Sequence, residues 1–242
     1  MEIKVLHYVF LIGITVLAII HNSLSFSPIR FHCSNYVLNT YLYFILSWGI
    51  IMATNSSLEK NNIELHYLFS GPFTILLMVS SMALLFGLIF VPPSLFFTKH
   101  LLFILEMVLL GIIIYPYYKN NKKLFSHVAL TTLIVLILLT FITYNFSSYI
   151  TDSWGTYLFY GLLAIIIARL IEIFRSNYQM KGNQRIISYI SIILFSLYIM
   201  YDTKQILINS KNCVKPDYIN ESLSLILDSI NLLQNIFLIR NE

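Results

Sequence analysis

Two carboxylates interrupt runs that are otherwise apolar enough for a membrane. The stretch "LYIMYDTKQIL" at 197–207 breaks on Asp202, and "SLILDSINLLQN" at 224–235 carries Asp228. A carboxylate at the centre of a spanning helix costs about 2.5–3.5 kcal/mol on insertion scales, and residues kept at that cost face a bundle interior and line pathways. Two carboxyls that meet in low dielectric cannot both ionise freely. They titrate as a unit, in two macroscopic steps. That is the physics of a proton-sensitive gate and, with both groups ionised, of a cation site formed by Asp202 and Asp228. The competing reading is that each aspartate caps or hydrogen-bonds backbone near a helix end, and Asp202 stands close to one.

The neighbours of the two aspartates extend the pattern. Glu221, Ser224, Asp228, Asn231 and Asn235 recur at helical spacing and form one polar stripe. Ile226, Leu227, Ile230, Leu233 and Phe237 occupy much of the remaining surface. Such a stripe cannot face lipid along its length, so the last helix should lie inside a bundle. Tyr198, Asp202, Gln205 and Asn209 share a face of the preceding helix. Tyr198, Gln205, Glu221, Ser224, Asn231 and Asn235 are therefore candidate pore-lining groups. Three further charges stand in apolar surroundings. Arg169 and Glu172 are three positions apart near a segment end, where a local ion pair and snorkelling are both available. Glu106 stands alone in "FILEMVLL", open between packing and function.

The elements that must position these groups follow from composition. The 242 residues are 58% hydrophobic and 11% charged, with a mean hydropathy of +0.78. A soluble domain carries about 25% charged residues. A spanning helix needs about 20 mostly apolar residues. Eight apolar segments fit, at 4–21, 36–54, 67–91, 99–118, 124–145, 153–174, 185–208 and 218–239. Backbone groups in lipid must pair internally, so these are helices. Barrel strands would alternate, and these segments do not. The expected fold is one all-α domain over 1–242, a polytopic bundle of seven to eight helices around a central C-terminal one. It leaves no room for a separate soluble catalytic domain.

The net charge of +4 falls mostly between the apolar segments. Orientation in the membrane accounts for it, and nucleic-acid binding is excluded. With eight spans, one side receives Lys4, Lys60, Lys119, Lys122, Lys123, Arg175, Lys181, Arg185 and Arg240. The other receives Arg30, Lys99, Lys204, Lys211 and Lys215. The bias puts both termini on the cytoplasm-like side. Eight spans also put Cys33 and Cys213 on one side, the non-cytoplasmic one, where a disulfide is chemically accessible. Seven would separate them, and sequence alone leaves the pairing open. "MEIKVLHYVFLIGITVLAII" reads as a first spanning helix, since "HNSLSF" is a poor signal-cleavage site and no transit peptide precedes it.

"YDTKQ" followed by "LILDSINLLQN" resembles the C-terminal signature of the transmembrane BAX inhibitor motif family, the Bax inhibitor and Lifeguard-like proteins. The match rests on the two aspartates, Thr203, Asn231 and their spacing, over about the last 50 residues. The resemblance implies helices wrapped around a central last helix. It also implies a pH-sensitive calcium leak across an intracellular membrane and suppression of cell death, with Asp202 and Asp228 as the gating dyad. Viral members share that outcome. The stretch "KPDYINESLSLILDSIN" and the additional segment "SWGTYLFYGLLAIIIARLIEIF" are similar to the mitochondrial growth-hormone-inducible branch. Lys204 replaces a usual Gln, and residues 36–54 hold no Lys or Arg that could serve as a basic partner of the dyad.

The implied protein is not an enzyme and carries no cofactor, with Ca2+ as the transported ion. Intramembrane hydrolases pair Y-D with G-x-G-D, and Asp228 sits in "LILDS". Neither H-E-x-x-H nor G-x-S-x-G occurs. The implied partners are the bilayer, Ca2+, H+ and apoptosis-regulating membrane proteins. The implied location is an endoplasmic reticulum or Golgi-type membrane, with the mitochondrial inner membrane as the alternative. A channel or exchanger gated by the dyad stands beside a second reading, an anti-apoptotic membrane protein that conducts nothing.

Overall fold

A computed structural model of the chain describes residues 2–26, 29–62, 72–174 and 180–241. Eight helices account for nearly all of it. They are α1 (Glu2–Ser23), α2 (Tyr36–Lys60), α3 (Pro72–Phe90), α4 (Phe96–Asn120), α5 (Lys122–Phe146), α6 (Ser153–Phe174), α7 (Met180–Lys211) and α8 (Tyr218–Arg240). The protein is an all-α polytopic helix bundle. Six helices (α2 and α4 to α8) are long and apolar enough to cross a membrane by themselves. The apolar stretches of α1 and α3, His7–Ser23 and Ile75–Phe90, are shorter. The part of the third expected segment before residue 72 lies outside the described residues.

Hydropathy located the helices and misjudged some of their ends. Helix α2 runs on past residue 54 through the polar "NSSLEK", and α7 extends beyond 185–208 at both ends. Backbone pairing continues where apolarity stops. Two starts are capped as a sequence of this kind requires. Asn121 Oδ1 accepts from Leu124 N at 3.0 Å, and Asp217 Oδ1 accepts from Asn220 N at 3.2 Å. An unanticipated antiparallel hairpin, β1 (Leu24–Phe26) with β2 (Ile29–Phe31), pairs Leu24 with Phe31. The pairing left open in the sequence is made: Cys33 and Cys213 form a disulfide, with Cα atoms 5.9 Å apart.

The described contacts gather the chain into two compact units, Met1–Asn120 with Asn209–Leu223 and Asn121–Ile208 with Ser224–Glu242. In the first unit, α1 and α2 pack antiparallel. Asn39 Nδ2 donates to Asn22 O, and a Cβ on Gly49 would stand 3.0 Å from Ile12 Cγ1. Helices α2 and α4 run parallel: Tyr43 meets His100, Thr54 meets Gly111, and Glu59 meets Tyr118. Helix α3 returns between them in sequence, antiparallel to α4, with Gly87 beside Leu102 and Ser81 bonded to Glu106.

In the second unit, α6 and α7 pack antiparallel and close. A Cβ on Gly155 would stand 2.6 Å from Tyr201 Oη, and one on Gly161 2.7 Å from Leu194 Cδ1. Helix α8 is the most enclosed span, with 61% of its most apolar window buried against 6% for α6. That enclosure is what the polar stripe demanded.

Candidate functional site

The second unit holds Asp202, Asp228 and most of the residues expected around them. Asp228 projects from α8 with only 7% of its surface exposed. Its Oδ2 is buried and receives no hydrogen bond from any described donor. The group beside it is the half-buried Asp202 carboxyl of α7, close enough for a direct side-chain hydrogen bond and charge interaction. Tyr198, one turn before Asp202, lies within charge-interaction range of both carboxyls. Asn231 and Asn235 each bond the backbone one turn back, to Leu227 O and Asn231 O, both at 2.8 Å. Ser224, Asn231 and Gln205 are half-buried, while Ile226, Leu232 and Leu233 are fully enclosed.

Arg169 closes one end of this arrangement. From α6 its Nη2 donates to Asn235 Oδ1 of α8 and to Ser188 Oγ of α7, both at 2.9 Å. One guanidinium therefore ties three helices together, using the planar fork that lysine lacks. Glu172, its expected partner, lies on α6 with a side chain outside the described residues. Lys204, the odd residue after Tyr201–Thr203, turns to the loop before α6, where its Nζ meets Asp152 Oδ1 at 2.9 Å.

Glu221 belongs to the first unit. Its Oε1 accepts from Tyr36 Oη at 3.1 Å and from Asn209 Nδ2 at 2.7 Å. Lys99 also stands differently from its reading as an orientation charge in a loop. It sits in the first turn of α4 with no exposed surface, paired to Asp217 and donating to Val91 O at 2.9 Å. Glu106, likewise fully buried, accepts from Ser81 Oγ at 2.7 Å while its Oε2 finds no described partner. It bridges α3 and α4. Nothing in the sequence pointed to the Lys99–Asp217, Tyr36–Glu221 and Tyr118–Glu59 pairs, because each joins residues dozens of positions apart.

Among the described residues no group of three or more His, Cys, Asp and Glu side chains comes together as a metal site. Two carboxyls supply at most about four of the six to eight oxygens that Ca2+ takes, the rest falling to backbone, amides and water.

A protein family described as "Inhibitor of apoptosis-promoting Bax1" (Bax1-I) matches residues 33–241. The chain belongs to the Bax1-I family. No curated protein matches it. The Bax1-I match takes in α2 to α8 together, well beyond the two C-terminal motifs that first suggested it. This Bax1-I protein is therefore a multi-pass membrane protein, with Asp202 and Asp228 inside the matched region.

Proposed function

We propose that this Bax1-I protein is a pH-sensitive calcium leak channel or proton–calcium exchanger of an intracellular membrane, and that it suppresses cell death. What supports the reading is the charge interaction between the Asp202 and Asp228 carboxyls within the second unit. A hydrogen bond between two carboxyls needs a proton on one of them. Removing it leaves two like charges that a divalent cation neutralises. Protons and Ca2+ thus compete for the same oxygens. Tyr198 beside the pair and the half-buried Gln205, Ser224 and Asn231 offer polar groups along the approach.

Calcium flux into liposomes, measured across pH, tests this reading. The wild-type protein conducts with a pH-dependent rate. Asp202→Asn and Asp228→Asn lose that dependence. Unchanged flux in both variants sinks the mechanism, and absence of flux in the wild type sinks the activity.

The family description names inhibition of Bax and no transport, which supports a second reading. In it the protein is an anti-apoptotic membrane protein that conducts nothing and acts through membrane partners. It predicts that the Asp202→Asn/Asp228→Asn double variant, expressed at normal level and location, still protects stressed cells. Loss of protection there counts against it.

A further inference from the structure

The best-defined feature outside the dyad is the segment that joins α1 to α2. The β1–β2 hairpin leads into Cys33, which is bonded to Cys213 just ahead of α8. Noncovalent contacts also hold the hairpin down within the same unit. His32 N donates to Ser23 O at 3.1 Å, Tyr218 Oη donates to His32 O, and the Phe31 ring packs on Tyr218 at 5.2 Å. Tyr218 is the first residue of α8 and is fully buried. The buried Phe31 ring also meets Tyr43 and His100, and Asn39 Nδ2 donates to Ser34 O at 2.9 Å. The disulfide joins two cysteines that are each partly exposed.

Helix directions fix the sidedness of the bond. Between the two cysteines the chain passes through α2 to α7. A disulfide demands an even number of crossings over that interval. Five of the six helices are long and apolar enough by themselves, and α3 is the sixth. The parallel run of α2 and α4 requires a return pass, which α3 supplies by packing antiparallel to α4. With α3 crossing, Cys33 and Cys213 fall on one side, opposite the Lys119–Lys123 cluster. Disulfides persist in oxidising compartments.

We propose that Cys33–Cys213 is a redox-cleavable strap, exposed to an oxidising compartment, that pins the β1–β2 hairpin onto the start of α8. Its opening is ordinary thiol–disulfide exchange with a thiol reductant such as glutathione. One glutathione thiolate attacks a sulfur, the S–S bond breaks, and the other cysteine leaves as a thiolate that takes a proton. A second glutathione resolves the mixed disulfide. The products are two protein thiols and one oxidised glutathione. Opening removes the covalent hold of the hairpin on the segment before α8, the helix that carries Asp228, and leaves the Tyr218 contacts to hold it alone.

Two measurements on the full-length protein test the strap. In sealed vesicles of known sidedness, a thiol-reactive polyethylene-glycol maleimide labels neither cysteine until glutathione is added on the face opposite Lys119–Lys123. Labelling before any reductant, or cleavage from the other face, overturns the proposal. In lipid nanodiscs, hydrogen exchange at 24–33 and 213–222 accelerates at least tenfold on reduction, while 185–208 is unaffected. It returns to its starting rate with oxidised glutathione. The Cys33→Ser/Cys213→Ser variant matches the reduced wild type. Unchanged exchange on reducing the wild type would show an inert structural bond, and the reduced wild type decides the matter even if the variant does not fold.

Discussion

Lys99, with no exposed surface, is ion-paired to Asp217, 118 positions away, and Asp217 also caps the start of α8. Removing one partner of a buried pair costs about 3–5 kcal/mol, because the other charge stays behind. The Asp217 side chain keeps 22% exposure, so Lys99→Met falls at the lower end of that range. Lys204 faces an Asp152 side chain that is 84% exposed. Pairs of that kind contribute about 0–1 kcal/mol. Thermal unfolding in detergent should therefore separate Lys99→Met clearly from Lys204→Met, and equal losses would refute the ranking.

Glycine substitutions read the closeness of α2 and α4. A Cβ on Gly111 would stand 2.8 Å from Thr54 Cβ and 3.2 Å from Ile51 O. The backbone carbonyl cannot swing aside, so Gly111→Ala destabilises by about 1–3 kcal/mol. At Gly13 a Cβ meets nothing within 4 Å. There the same change gains about 0.4–1 kcal/mol through the unfolded chain. Opposite signs in paired melting curves are the expected result.

Arg169→Ala removes two interhelical hydrogen bonds at once. Such bonds average about 0.6 kcal/mol in a membrane and reach about 1.7. A loss of about 1–3 kcal/mol follows, with hydrogen exchange rising around Ser188 and Asn235. Arg169→Lys recovers part of it, since an ammonium reaches one acceptor more readily than two fixed ones. Full recovery by lysine would show that charge alone matters there.

If Ca2+ binds Asp202 and Asp228 as proposed, the sign of its pH dependence follows from competition with protons there. Ligation needs both carboxylates free of protons, so affinity rises as pH rises through the titration of the pair, and binding releases protons. Adding Ca2+ to the weakly buffered protein should lower the pH. Asp228→Asn leaves a single ionisable group and a single titration step. Proton release equal to wild type in that variant would place the exchangeable proton elsewhere.

What the sequence disclosed and withheld divides along physical lines. Apolar length marks the stretch of helix that lipid surrounds, so 153–174 matches α6 to the residue. It says nothing of the polar turns that carry α2 on to Lys60 or α7 on to Lys211. The hairpin escaped notice because three-residue strands have too few positions to show alternation, although the sequence between "LSF" and "IRF" is Ser-Pro, a dipeptide that signals turns. The polar stripe on α8 foretold its enclosure, since lipid would not tolerate it. Which cation meets which carboxylate is a matter of folded distance. Lys99 could be read only as a charge near a segment end, and Arg169 only against its own helix.

The strap also bears on how the chain is made. Cys213 follows Cys33 by 180 positions, and α2 to α7 lie inside the covalent ring that the bond closes. On the proposed topology, Cys33 cannot meet its partner until α2 to α7 have entered the bilayer. One missed or inverted crossing leaves its partner across the membrane and out of reach. The closed ring is thus a parity check on insertion, which a chain with one missed pass fails, leaving a lone thiol at Cys33.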